Sequence, residues 1–180
     1  MIARRSLLRT AIGVTGGLVG GPAALAFAAP ARRLSFNNLH TGETLDDVAY
    51  FENGAYVSDA LSAVNHVLRD YRTGDVHVIE PKLLDLLVVL SASLETKNPF
   101  GVISGYRSPQ TNAMLHERSS QVASGSLHML GQAIDIRLPG VETSHIRDAA
   151  LQLAVGGVGY YPTSDFVHVD VGRVRRWQGS

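Results

Sequence analysis

Between Pro81 and Leu90 the chain runs Pro-Lys-Leu-Leu-Asp-Leu-Leu-Val-Val-Leu, so that seven of the eight positions from 83 to 90 are apolar. Proline suits the first turn of a helix, where its missing N–H has no partner to lose, and the apolar residues that follow cover nearly every side of that helix. A helix of this kind must be covered by other elements. It is therefore expected at the centre of one core, and 180 residues with 45% hydrophobic and 18% charged composition suffice for one such core.

The elements that can cover it are readable on either side. Leu34 to Leu39 and Val48 to Phe51 have strand character and form an N-terminal hairpin, with Thr41 to Thr44 as a turn and Asn53-Gly54 as a closing turn signal. Ser58 stands at an N-cap position before Ala60, Leu61, Val64, Val67, Leu68 and Tyr71, which keep helical spacing to residue 71. Phe100 to Ser104 is a strand, and Ser108-Pro109 caps and opens a short helix to about Glu117. Ser119 to Ser126 is a loop and Ala133 to Arg137 a strand. Ser144 caps a helix to about Ala154, and Gly156 to Pro162 leads by a turn into the strand Phe166 to Val171. Helices and strands alternate without a regular βαβ rhythm, which predicts a single α+β domain with a mainly antiparallel sheet.

Charge and cysteine content narrow the function. Lys plus Arg and Asp plus Glu both number 16, so nothing points to nucleic acid or an anionic surface as partner, and nothing bears on oligomeric state. With no cysteine, a metal site can use only His, Asp or Glu. The first residues read as an address. Ala3-Arg4-Arg5-Ser6-Leu7-Leu8 is a twin-arginine start, Ala11 to Phe27 is apolar and free of acids, and Ala26-Phe27-Ala28 is a small-residue cleavage site. Residues 1–28 are expected to be an export signal, with a membrane anchor as the competing reading, and 29–180 the working domain in the periplasm, without a membrane span. Removing 1–28 takes Arg4, Arg5 and Arg9 and no acid, leaving 13 basic residues against 16 acidic.

Two segments carry the chemistry. In Ser126-Leu127-His128-Met129-Leu130-Gly131-Gln132-Ala133-Ile134-Asp135-Ile136, strand alternation puts Ala133 and Asp135 on one face and Ile134 and Ile136 on the core face. A turn at Gly131 can fold His128 back beside Asp135. In Asp165-Phe166-Val167-His168-Val169-Asp170-Val171, the residues Phe166, His168 and Asp170 share a face opposite three valines. Either segment alone is a weak signal. Together, two imidazoles and one carboxylate make a three-ligand set for tetrahedral zinc with the fourth position open, as catalytic sites need.

These residues resemble a known family. The pattern S-x-H-x-x-G-x-A-x-D at Ser126 to Asp135, the downstream G-G-V-G-Y-Y-P, and an acid three residues before a His are similar to the zinc D-alanyl-D-alanine carboxypeptidases and dipeptidases, VanX included. L-S-F-x-N-L-H-T-G-E at Leu34 to Glu43 and S-G-Y-R-S at Ser104 to Ser108 are similar to the YcbK-like murein endopeptidases of that superfamily. The resemblance spans essentially the whole chain after the signal and implies a zinc carboxypeptidase or hedgehog-like fold. It implies one zinc held by His128, Asp135 and His168, with Asp165 as the general base. Arg107 is implied to bind substrate and steady the oxyanion, with a structural ion pair as its alternative. Ser126 is expected to orient a ligand or touch substrate, and Tyr106 to line the cleft. Asp170 is expected either to hydrogen-bond a ligand imidazole or to pair with Arg173 or Arg175. Phe166 stands where lysostaphin-type relatives have the first His of H-x-H, which removes that mechanism. His40, His66, His77, His116 and His145 are expected in surface or packing roles. The implied activity is hydrolysis of peptidoglycan stem-peptide cross-links. Trimming of a terminal D-amino acid, and a silent zinc module that binds wall peptides, are the rival readings.

Overall fold

The structure, a computed structural model, describes residues 30–119 and 122–180, so the expected export signal lies outside the described residues. Its strands are β1 (Arg32–Asn38), β2 (Thr44–Glu52), β3 (Ala55–Tyr56), β4 (Phe100–Ser104), β5 (Ala133–Arg137), β6 (Gly157–Tyr161), β7 (Phe166–Asp170) and β8 (Arg175–Gln178). The helices are α1 (Ser58–Val67), α2 (Pro81–Ser93), α3 (Pro109–Arg118) and α4 (Thr143–Leu153), with a single 3-10 turn at Leu127–Leu130. All strands form one sheet in the order β3-β2-β1-β4-β5-β7-β6-β8. Only β1 with β4 and β6 with β8 run parallel, so the fold is α+β around a mainly antiparallel sheet. Among the described residues no helix is long and apolar enough to cross a membrane.

Helix α2 packs its leucines on one face of this sheet. Leu83, Leu84, Leu87 and Leu90 are fully buried with Phe36 of β1, Phe100 and Val102 of β4, Ile134 and Ile136 of β5, and Val167 and Val169 of β7. Coverage is less complete than the sequence predicts, since Val89 remains 48% exposed on the outer side of the helix. Burying a Leu-sized side chain contributes about 1.5–3 kcal/mol, so this layer accounts for much of what holds the sheet. Period-2 alternation then leaves Ala133, Asp135, His168 and Asp170 on the opposite face.

The ends of α1 and α4 differ from expectation. The N-cap of α1 is Val57, not Ser58, and that of α4 is Glu142, not Ser144; neither makes a side-chain cap bond. Val57 is already fixed by donating its N–H to the Tyr50 carbonyl. Helix α1 stops at Val67 instead of reaching Tyr71 because its last carbonyls are taken by other partners. Asn38 Nδ2 donates to the Val67 carbonyl and the Tyr106 N–H to that of Leu68. Helix α3 begins as expected, with Ser108 Oγ accepting from the Thr111 N–H ahead of Pro109. The turn expected to lead into Phe166 is present at residues 162–165, whereas the strand β6 before it and β8 have no counterpart among the expected elements.

Candidate metal centre

Three chain segments meet on the polar face of the sheet. Asp135 and His168 are direct cross-strand partners of β5 and β7, so their side chains leave the sheet together. His128 arrives from the 3-10 turn, in which its own N–H is capped by Ser126 Oγ and which ends at Gly131 with φ +65°. Only glycine serves there, because a Cβ would overlap the Val78 carbonyl oxygen. The Gly131 carbonyl also accepts from the Glu80 N–H, which ties this turn to the start of α2.

The donor atoms form a near-equilateral triangle. His128 Nε2 lies 3.1 Å from His168 Nδ1 and 3.2 Å from Asp135 Oδ1, and His168 Nδ1 lies 2.9 Å from the same oxygen. All three residues are buried, at 1%, 2% and 8% exposure for His128, Asp135 and His168. Their outer atoms settle which lone pairs point inward. His128 Nδ1 faces the Gly105 carbonyl at 2.7 Å, which can only accept, so Nδ1 carries the proton and Nε2 its lone pair. His168 Nε2 faces the Asp170 carboxylate at 3.0 Å, so Nε2–H donates there, which leaves Nδ1, 2.9 Å from Asp135 Oδ1, as the nitrogen that would ligate an ion. Two ring nitrogens and a carboxylate oxygen thus converge on one point, where positive charge, a metal ion or a proton on His168 Nδ1, is stabilised. Two imidazoles and one carboxylate fit a divalent ion with an open fourth position.

The electrostatics of His128 and Asp135 agree with that fit, and those of His168 run the other way until an ion displaces its proton. Burial pushes the His128 imidazole down to about 4, keeping it neutral and able to ligate. Burial alone would raise the pKa of Asp135, but the neighbouring His128 and Arg107 outweigh it and hold the carboxyl well below its ordinary range. Burial would likewise lower His168, and its hydrogen bonds to Asp135 and Asp170 reverse the sign.

Arg107 reaches the centre from the end of β4. Its guanidinium pairs with Asp135 Oδ2, leaving Oδ1 for the triangle, and its Nε donates to Ser104 Oγ at 2.8 Å. A bulge between Val102 and Ser104 turns Ser104 onto the face of Asp135, its partner across the ladder. Nη1 of Arg107 has no hydrogen-bond partner among the described residues. Arg107 and Ser126 line a cleft of about 340 Å³ that opens over the three donors, with Tyr161, Phe166, Arg175 and Trp177 forming its other wall.

Asp170 makes both of the bonds weighed for it, to His168 Nε2 and to Arg175 rather than Arg173. Tyr106 stacks on His77 at 4.7 Å between ring centroids and is not part of the cleft wall. Asp165 is likewise not brought in. It sits in the turn before β7 with φ +52°, and its carboxylate meets Thr143 Oγ1 at 3.2 Å and Arg137 Nη1 at 3.5 Å in a separate groove. The residues that sequence reasoning missed are Tyr161 and Trp177. The signal that could have found them is the spacing of Gly157 and Gly159 against Arg175 and Trp177, two glycines that make room for two bulky side chains.

Comparison with known proteins gives one consistent picture. The "Peptidoglycan L,D-endopeptidase MepK" of Escherichia coli strain K12 is 43% identical over 176 residues, 97% of this chain and 96% of its own length. The "Probable peptidoglycan L,D-endopeptidase MepK" of Haemophilus influenzae is 42% identical over 149 residues, 82% of this chain and 80% of its own. A crystal structure of the Serratia marcescens L-Ala D-Glu endopeptidase ChiX matches at 24% identity with a TM-score of 0.33, over 42% of this chain and 62% of that one, too slight a superposition to carry an argument. The model of the family Peptidase_M15_2, described as peptidoglycan L,D-endopeptidase MepK, matches residues 26–177. With that match across the described domain and relatives above 40% identity over most of its length, the chain belongs to the Peptidase_M15_2 family of peptidases.

Proposed function

We propose that this protein is a zinc-dependent endopeptidase that hydrolyses an L,D peptide bond, one with an L-centre on its acyl side and a D-centre on its amine side, in peptidoglycan stem peptides. The observation that carries the metal part is the convergence of the His128, His168 and Asp135 lone pairs, each aimed by an outer partner. The bond type follows the names that the relatives bear. Zinc bound there supplies a Lewis acid for the scissile carbonyl and lowers the pKa of water at the site.

The chain's own groups hold the ion, offset developing charge and seat the peptide. His128, Asp135 and His168 hold the ion, one per chain. Arg107, fixed by Ser104 and Asp135, presents a positive group in the cleft wall, where it offsets charge that develops on the carbonyl oxygen only in the transition state. Ser126 holds the turn that carries His128. Tyr161, Phe166 and Trp177 give the stem peptide an aromatic wall to lie against. The Asp165 carboxylate, on Thr143 and Arg137, takes no part in this reading. Export to the periplasm through the twin-arginine signal at Arg4-Arg5 puts the enzyme beside its substrate.

Mass spectrometry of muropeptides, after zinc-loaded protein is incubated with intact sacculi, tests the proposal. The expected result is loss of cross-linked species carrying L,D bonds, with terminal residues retained. Release of a terminal D-amino acid alone establishes the carboxypeptidase instead, and unchanged muropeptides leave only a binding module.

A further inference from the structure

Strand β8 builds a support behind His168 that the ligand set by itself does not explain. It runs parallel to β6 with Arg175 opposite Gly157 and Trp177 opposite Gly159. A Cβ on Gly157 would fall on Arg175 Nη1 and Asp170 Oδ2, and one on Gly159 would enter the Trp177 indole. The glycines of β6 are thus the space into which the Arg175 and Trp177 side chains fold. Trp177 Nε1 donates to the Tyr161 hydroxyl at 2.9 Å, and its ring lies 5.1 Å from that of His168.

Asp170 is the link between this support and the centre. It is fully buried, and its Oδ1 accepts from the N–H groups of Gly157 at 2.9 Å and Gly172 at 2.8 Å. Arg175 grips both oxygens, Nη1 to Oδ1 at 3.1 Å and Nη2 to Oδ2 at 2.7 Å, while Nη1 also donates to the Arg173 carbonyl and the guanidinium lies 4.9 Å from the Trp177 ring centroid. Oδ2 is also the oxygen that receives His168 Nε2–H. A carboxylate held at both oxygens cannot rotate away from the imidazole. The direction of the His168 lone pair is therefore set two residues away from the ion.

We propose that Arg175 is a positioning residue for the metal centre, acting through Asp170 to fix the orientation and tautomer of His168. This rests on the reading of His128, Asp135 and His168 as a metal site. Arg175 touches neither the donor triangle nor a reacting atom in this role, and Lys is a poor substitute because it lacks the planar fork that spans two oxygens.

The test is the affinity of the whole chain for Zn²⁺ alone, read by competition with a chelator for wild type, Arg175→Met, Arg175→Lys and Gly157→Ala. Thermal unfolding and the exchange-protected His168 Nε2–H proton resonance are recorded on the same samples. Arg175→Met is expected to weaken zinc binding by about 10–100-fold and to abolish or shift that resonance. Arg175→Lys should recover part of the affinity, and Gly157→Ala should weaken it by displacing the guanidinium together with the Asp170 oxygen it holds, without touching a ligand. A folded Arg175→Met protein with wild-type affinity and an unshifted resonance overturns the proposal, since a merely structural arginine would move stability alone. If Arg175→Met is not recovered folded, wild-type affinity in both other variants overturns it equally. Failure of the wild type to bind Zn²⁺ is a different outcome, which sinks the metal-site reading first.

Discussion

Asp165→Asn separates what local sequence suggests from what the three-dimensional arrangement permits. An acid three residues before His168 resembles the general base of related zinc peptidases, yet in the structure its side chain is 61% exposed and turned to Thr143 and Arg137. Asparagine keeps the shape, tolerates φ +52°, and can still accept from Thr143 Oγ1. What is lost is the charge pairing with Arg137 at 3.5 Å, and both of those side chains are largely in water. Exposed pairs of this kind contribute about 0–1 kcal/mol, so unfolding by urea should shift by roughly 0.5 kcal/mol. Zinc content should stay at one per chain. Turnover on cross-linked muropeptides should remain within about threefold, since each 1.36 kcal/mol of barrier is a factor of ten. A fall of about two to four orders of magnitude with zinc retained would show that Asp165 is the proton acceptor and that the turn carrying it swings into the cleft. Loss of zinc would make it a ligand and break the three-residue assignment.

His128→Ala, Asp135→Ala and His168→Ala should each lower bound zinc and abolish hydrolysis, because losing one of three ligands also releases the geometry of the others; a full zinc equivalent in all three variants by metal analysis refutes the site. Gly131→Ala should cost more than about 1 kcal/mol in denaturant unfolding, since the residue needs positive φ and its Cβ would overlap the Val78 carbonyl; wild-type stability would show that the turn carrying His128 is not held as described. Changing Arg4 and Arg5 to lysine should strand the precursor in the cytoplasm with its domain folded, and normal periplasmic levels on fractionation would dismiss the twin-arginine route.

Much of the site is legible along the chain because the relevant periodicities are local. Alternation in Ala133 to Arg137 and Phe166 to Asp170 is enough to put Asp135, His168 and Asp170 on the face away from the core, and the ladder pairs Asp135 with His168 directly. The leucines of α2 announce the buried helix in the same way, although the exposure of Val89 shows that only part of its circumference is covered. Ser108-Pro109 predicts the start of α3, whereas Ser58 and Ser144 mislead, because at those helix ends the preceding backbone settles the geometry without a side-chain cap.

What the sequence could not show depends on contacts between distant segments. Gly157 and Gly159 carry no strand signal, because glycine favours no strand on its own; they form β6 because β7 pairs on one side and β8 on the other, and because Arg175 and Trp177 need the space that a Cβ would fill. Asp165 reads as a base by its distance along the chain from His168, but a left-handed turn residue lies outside the strand's alternation, and Thr143 and Arg137 claim its carboxylate. Composition and local pattern therefore determined the class of fold and singled out the three donors that converge. Tertiary structure alone decided which neighbours aim those donors, since the Gly105 carbonyl, Arg107 and the Asp170–Arg175 pair reach His128, Asp135 and His168 only once non-local strand register has brought them together.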